Sequence, residues 1–141
     1  MAITIETEII TGISQYLVAN YTTTSIQHPN TELDTNSLDR YIAWYVLPVL
    51  SKQMRIGCSF ANGEGQTNNY LLDIQIFINK GIGMGYVAEI CDTLKTILNQ
   101  KTIITTNYRI EFLVPSGITG VPNISQTRAQ FNLSVPFEVH T

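Results

Sequence analysis

Arg128-Ala129-Gln130-Phe131-Asn132-Leu133-Ser134-Val135-Pro136-Phe137-Glu138 alternates apolar and polar residues with a period of two along almost its whole length. Successive side chains of a β-strand point to opposite faces. Ala129, Phe131, Leu133, Val135 and Phe137 therefore share one face, and Arg128, Gln130, Asn132, Ser134 and Glu138 the other. Parallel strands are covered on both faces and read as continuous apolar runs, so this alternation belongs to an antiparallel sheet with one face buried.

Three other regions repeat the signal. Residues 70–78 put Tyr70, Leu72, Ile74, Ile76 and Ile78 on one face, with Leu71, Asp73, Gln75 and Phe77 on a wetter one. Residues 108–114 do the same with Tyr108, Ile110, Phe112 and Val114. Residues 41–49 and 52–60 read as two further strands, rich in aromatic and branched side chains. Residues 22–26 are β-branched and extended, and the polar stretch 28–39 and the Pro/Gly stretch 115–125 read as loops.

Two segments change to helical spacing. Val87, Ile90, Cys91, Leu94, Ile97 and Leu98 fall on one stripe of a helix over residues 85–99, with Glu89, Asp92 and Lys95 opposite. Residues 5–21 place Ile9, Ile13, Tyr16, Leu17 and Tyr21 similarly, with Glu6 and Glu8 in the first turn, where the helix dipole favours them. The expected fold is α+β: one domain over residues 1–141, mostly antiparallel sheet, with two helices packed on one face.

The composition narrows the function classes. With 44% hydrophobic and 13% charged residues the chain fills an ordinary core without disulfides or metal, and its surface falls largely to Thr, Asn, Gln and Ser. A net charge of −3 argues against a grip on nucleic acid through phosphate neutralisation. The first 39 residues carry five acids and no Lys or Arg, which reads either as a solvated acidic start or as a polarity that orients subunits head to tail. Cys58 and Cys91 have apolar neighbours and read as buried thiols. The N-terminal residues lack a basic n-region, and the longest apolar run, 42–50, is broken by Pro48 and too short to cross a bilayer, so cytosolic synthesis without a membrane is expected.

No pattern demands catalysis. Gly81-Ile82-Gly83-Met84-Gly85 follows a strand and opens a helix, but Tyr86 stands where a dinucleotide fingerprint needs its third glycine. His28 and His140 have no second His or Cys at ligand spacing. The carboxylates Asp73, Glu89, Asp92 and Glu111 are isolated in sequence, and Trp44, Tyr41 and Tyr45 read as packing residues, with Arg40 the one nearby cation. The expectation is no catalytic residue, no metal and no cofactor. Ile82 and Met84, apolar between glycines, read either as a docking tip or as a staple beneath the second helix. Gly63 and Glu64, in the turn Asn62-Gly63-Glu64-Gly65, complete the candidate interaction loops.

Taken in order, an opening amphipathic helix, the Tyr-rich segment Tyr41-Ile42-Ala43-Trp44-Tyr45-Val46-Leu47-Pro48, the strand Tyr70-Leu71-Leu72-Asp73-Ile74-Gln75-Ile76-Phe77 leading through glycines into helix 86–98, and a closing strand near Val135-Pro136-Phe137 resemble the tail-terminator proteins of long-tailed phages (the lambda type) and related minor tail proteins. The resemblance covers most of residues 5–139 in pattern and length, without an invariant motif. It implies a homo-oligomeric ring, a hexamer, that caps the tail tube, ends its polymerisation and joins the tail to the head connector. The implied partners are further copies of the chain, the major tail tube protein and a head-completion or connector protein, with DNA only passing through the lumen. The implied location is the virion, assembled in host cytoplasm. The glycine content of residues 81–85 departs from the pattern. The alternatives are a head-completion or neck adaptor protein of the virion and, from another class, a small ligand-binding α+β domain.

Overall fold

A computed structural model describes residues 5–29, 38–53, 66–79, 84–117, 119–121 and 128–140. Helix α1 spans Ile5–Asn20, strand β1 Ser25–Gln27, β2 Arg40–Gln53, β3 Gln66–Asn79, helix α2 Met84–Leu98, β4 Thr102–Ile104, β5 Arg109–Phe112, β6 Thr119–Val121 and β7 Arg128–His140. The strands form one sheet in the order β1-β2-β3-β7-β5-β4. Along its second edge β7 holds β5 at its C-terminal end and β6 nearer its start. Every pairing is antiparallel except β1 with β2.

The three long strands are in register across the buried face. Ile42, Ile76 and Phe131 form one row, Trp44, Ile74 and Leu133 the next, and Val46, Leu72 and Val135 a third. Tyr70 stacks on Phe137 (centroids 5.4 Å apart), and Phe137 meets Phe112 of β5 edge to face at 5.5 Å. Both helices close this face. Ile9, Ile13 and Leu17 of α1, at a spacing of four, are fully buried there, and Val87, Ile90, Cys91, Leu94 and Leu98 of α2 are buried beside them. Burial of the five α2 side chains contributes roughly 10 kcal/mol before ordering entropy is subtracted. The architecture is the expected α+β sheet with two helices on one face.

Several boundaries differ from the sequence reading. The strand expected at 41–49 does not stop there but runs on through Pro48 to Gln53 as β2, taking in the first two residues of the strand expected at 52–60; residues 54–60 lie outside the described residues. Proline has no N–H for the ladder, and the strand absorbs it by bulging: Pro48 pairs with Tyr70, but Leu50 with Asn69. Strands β4 and β6, three residues each, fall where a link and a loop were expected, since so short a run has no readable period. Val114 leaves the buried face of β5 and is exposed.

The opposite face of the sheet is polar, as expected of Asp73 and Gln75, yet parts of it are covered. Asp73, Gln130 and Tyr41 are buried there, and Tyr41 stacks on its cross-strand partner Phe77 at 4.8 Å. Tyr45 lies opposite Asp73 and hydrogen-bonds to its carboxylate, which pushes the phenol pKa up. Gln130 Nε2 donates to Asn132 Oδ1 at 2.9 Å.

Candidate functional site

Helix α1 is fastened to the β4–β5 turn by Glu8. Its carboxylate accepts from the Thr105 hydroxyl, from Asn107 N–H at 3.0 Å and from Asn107 Nδ2 at 2.9 Å. The Thr105 hydroxyl, aided by the Asn107 donors, holds the Glu8 carboxyl below its ordinary value. The Tyr16 hydroxyl donates to the Ile97 carbonyl, which joins α1 to α2. Between these ties a groove opens along α1 and β4, lined by Thr11, Gln15, Ala19 and Asn20 on one side and Ile103 and Ile104 on the other. Gly12 sits in its floor, where a Cβ would lie 2.9 Å from Thr105 Cγ2, so the helix approaches β4 as closely as it does only because that residue is glycine.

A second cluster lies between α1, β1 and β2. Trp44, buried in the core, donates its Nε1–H to His28 Nδ1 at 3.1 Å, and Ser14 Oγ lies 3.1 Å from the same nitrogen. An indole N–H only donates, so His28 Nδ1 carries the lone pair and the ring is neutral. Burial holds the His28 pKa down. Trp44 and Tyr41 are thus packing residues, as the sequence implied.

The third cluster was invisible in sequence. Glu111 of β5 is the cross-strand partner of Glu138 of β7, and Arg109 that of His140. His140 Nε2 lies 3.2 Å from Glu111 Oε2 and 3.4 Å from Glu138 Oε2, while Arg109 Nε lies 3.0 Å from Glu111 Oε1. Glu111, expected to be isolated, and His140, without a ligand partner at sequence spacing, therefore share one site on the polar face. Twenty-nine positions separate them in sequence, but β5–β7 pairing makes them neighbours.

Of the candidate interaction residues, Ile82, Gly63 and Glu64 lie outside the described residues, and Met84 is the first residue of α2. Next to that end of α2, Arg40 places its guanidinium 4.1 Å from the Tyr86 ring centroid, a cation–π contact that ties α2 to β2. Sequence reasoning missed the exposed apolar side chains on the β4–β5 side: Ile104, 79% exposed, Val114, 61%, and Leu113, 41%. Across the sheet, Leu47 of β2 is exposed to 41%. Among the described residues no helix is long and apolar enough to cross a membrane.

No family model and no curated protein matches the chain. The fold does recur among solved structures. One of them, whose name, "Np_888769.1", carries no functional description, superposes with a TM-score of 0.66 at 12% identity, over 95% of this chain and 92% of that one. At that identity the likeness is one of fold.

Proposed function

We propose that this chain is a structural virion protein without catalytic activity. It forms a homo-oligomeric ring, a hexamer, that caps the phage tail tube, ends its polymerisation and joins the tail to the head connector. The observation that carries this reading is the placement of exposed apolar surface at opposite ends of one sheet. Ile104, Leu113 and Val114 flank the β4–β5 end, and Leu47 projects from β2 near the other. A closed ring of identical subunits needs two different, complementary patches on each subunit, because its contacts are head to tail. Strand edges with unpaired backbone groups add to such contacts. In the described residues β4 pairs only with β5, and β1 covers only Tyr41–Ala43 of β2. The order of elements resembling tail terminators supplies the rest of the reading: tube protein on one face of the ring, connector protein on the other, and DNA passing through the lumen.

Two experiments test it. Negative-stain images of the purified chain should show six-fold rings with an open lumen; a monomer at micromolar concentration contradicts the ring. Particles assembled without the chain should carry overlong tubes detached from heads, because an uncapped tube end keeps adding subunits. Tubes of normal length beside separate heads would instead assign the chain to the neck.

A further inference from the structure

We propose that Glu111, Glu138 and His140 form a binding site for a first-row divalent cation, with zinc the best fit. One ligand atom from each residue lies within 4.8 Å of the other two. The two distances to His140 Nε2, 3.2 and 3.4 Å, are those of neighbouring ligand atoms around a tetrahedral metal. Bond lengths of about 2.0–2.1 Å at the tetrahedral angle separate ligand atoms by about 3.3 Å. Imidazole with two carboxylates suits zinc, cobalt or manganese and disfavours magnesium and calcium, which take oxygen ligands.

The sheet explains why the site is built here. Glu111 and Glu138 are directly opposite one another on neighbouring strands, a placement in which like charges repel. A dication between them turns the repulsion into attraction. Arg109 binds the other oxygen of Glu111 and so aims Oε2 at His140, acting as a positioning residue. The side chains of His140, Glu138 and Glu111 are 22%, 31% and 37% exposed, so the site is open enough for the ion to enter and for water to complete its shell. The bound ion would clip the β4–β5 hairpin to the last residues of β7.

The test is calorimetric titration of zinc chloride into the chelator-treated full chain, with cobalt chloride as a spectroscopic probe and magnesium chloride as a control. The expected result is one zinc per chain, a raised Tm, visible cobalt absorption of tetrahedral type and no response to magnesium. His140→Ala and Glu138→Gln should each weaken zinc binding roughly tenfold or more while leaving the circular dichroism spectrum unchanged. Glu111→Gln serves as the third ligand variant should either of the others fail to fold. Absence of zinc binding overturns the proposal and leaves an ion-pair cluster only. Binding that survives all folded ligand variants overturns it as well, because the metal then sits elsewhere, on thiols or on His28.

Discussion

The indole N–H of Trp44 donates to Nδ1 of His28 at 3.1 Å, joining a buried aromatic of the sheet to a ring at the chain's turn after β1. This bond exists only while His28 is neutral, because protonation would set one N–H against another. Burial lowers the folded pKa of His28 below its ordinary 6.5, so the unfolded chain takes up the proton first as pH falls. Its contribution to stability is therefore complete above pH 6.5 and declines as pH falls from there toward the folded value. Thermal unfolding between pH 7.5 and 5 should show a falling Tm. His28→Gln, which keeps an acceptor for Trp44 and does not titrate, should flatten the slope. An undiminished slope in the variant would assign the effect to another group.

Gly12 and Thr105 are coupled by the 2.9 Å approach of a would-be Cβ to Thr105 Cγ2. Thr105 cannot rotate aside freely, because its hydroxyl donates to Glu8 and accepts from Tyr108 N–H at 3.1 Å. Gly12→Ala should therefore destabilise by about 1–2 kcal/mol despite the better helix propensity of alanine. Thr105→Ser removes the methyl and keeps the hydroxyl. Combined with Gly12→Ala it should recover most of the loss, giving a non-additive double-mutant cycle in urea unfolding. Additivity of the two changes would refute the contact.

Leu133 and Asn132 are adjacent in β7 but point to opposite faces. Leu133 is fully buried in the row with Trp44 and Ile74, whereas Asn132 is half-buried on the polar face. Leu133→Asp places a carboxylate in the core at a cost of at least about 4 kcal/mol, a large part of the stability of a small domain. Soluble expression should be lost. Asn132→Asp keeps the acceptor for Gln130 Nε2 and should change the Tm by no more than a few degrees. A soluble, cooperatively folded Leu133→Asp would contradict the placement of this strand.

Gln100 closes α2 with φ of 55°, a left-handed conformation that costs a residue with a Cβ about 1–2 kcal/mol. Gln100→Gly should raise stability by up to about 1 kcal/mol, since part of the relief is offset by the greater freedom of glycine when unfolded. A lower denaturation midpoint would mean that the Gln100 side chain contributes contacts that outweigh the strain.

What the sequence determined by itself is the pattern that burial imposes. Tyr70, Leu72, Ile74, Ile76 and Ile78 repeat every two residues, and Val87, Ile90, Cys91, Leu94 and Leu98 fall at the i, i+3, i+4, i+7, i+11 spacing of one helical face. Each set is buried in the structure, because a strand or helix with one apolar face has one way to keep it from water. The α+β class and the two helices on one face follow from those periods. Tertiary structure alone decided which strands pair. The sequence holds no trace of β7 lying between β3 and β5, or of Pro48 being absorbed in a bulge, because register depends on contacts between distant segments. The clusters are decided in the same way. Glu8 meets Asn107 across 99 residues, and Glu111 meets Glu138 and His140, only because the sheet folds them together. Polar side chains carry no period that reveals their partners, so a site assembled from three of them becomes legible only when the strands that bear them are side by side.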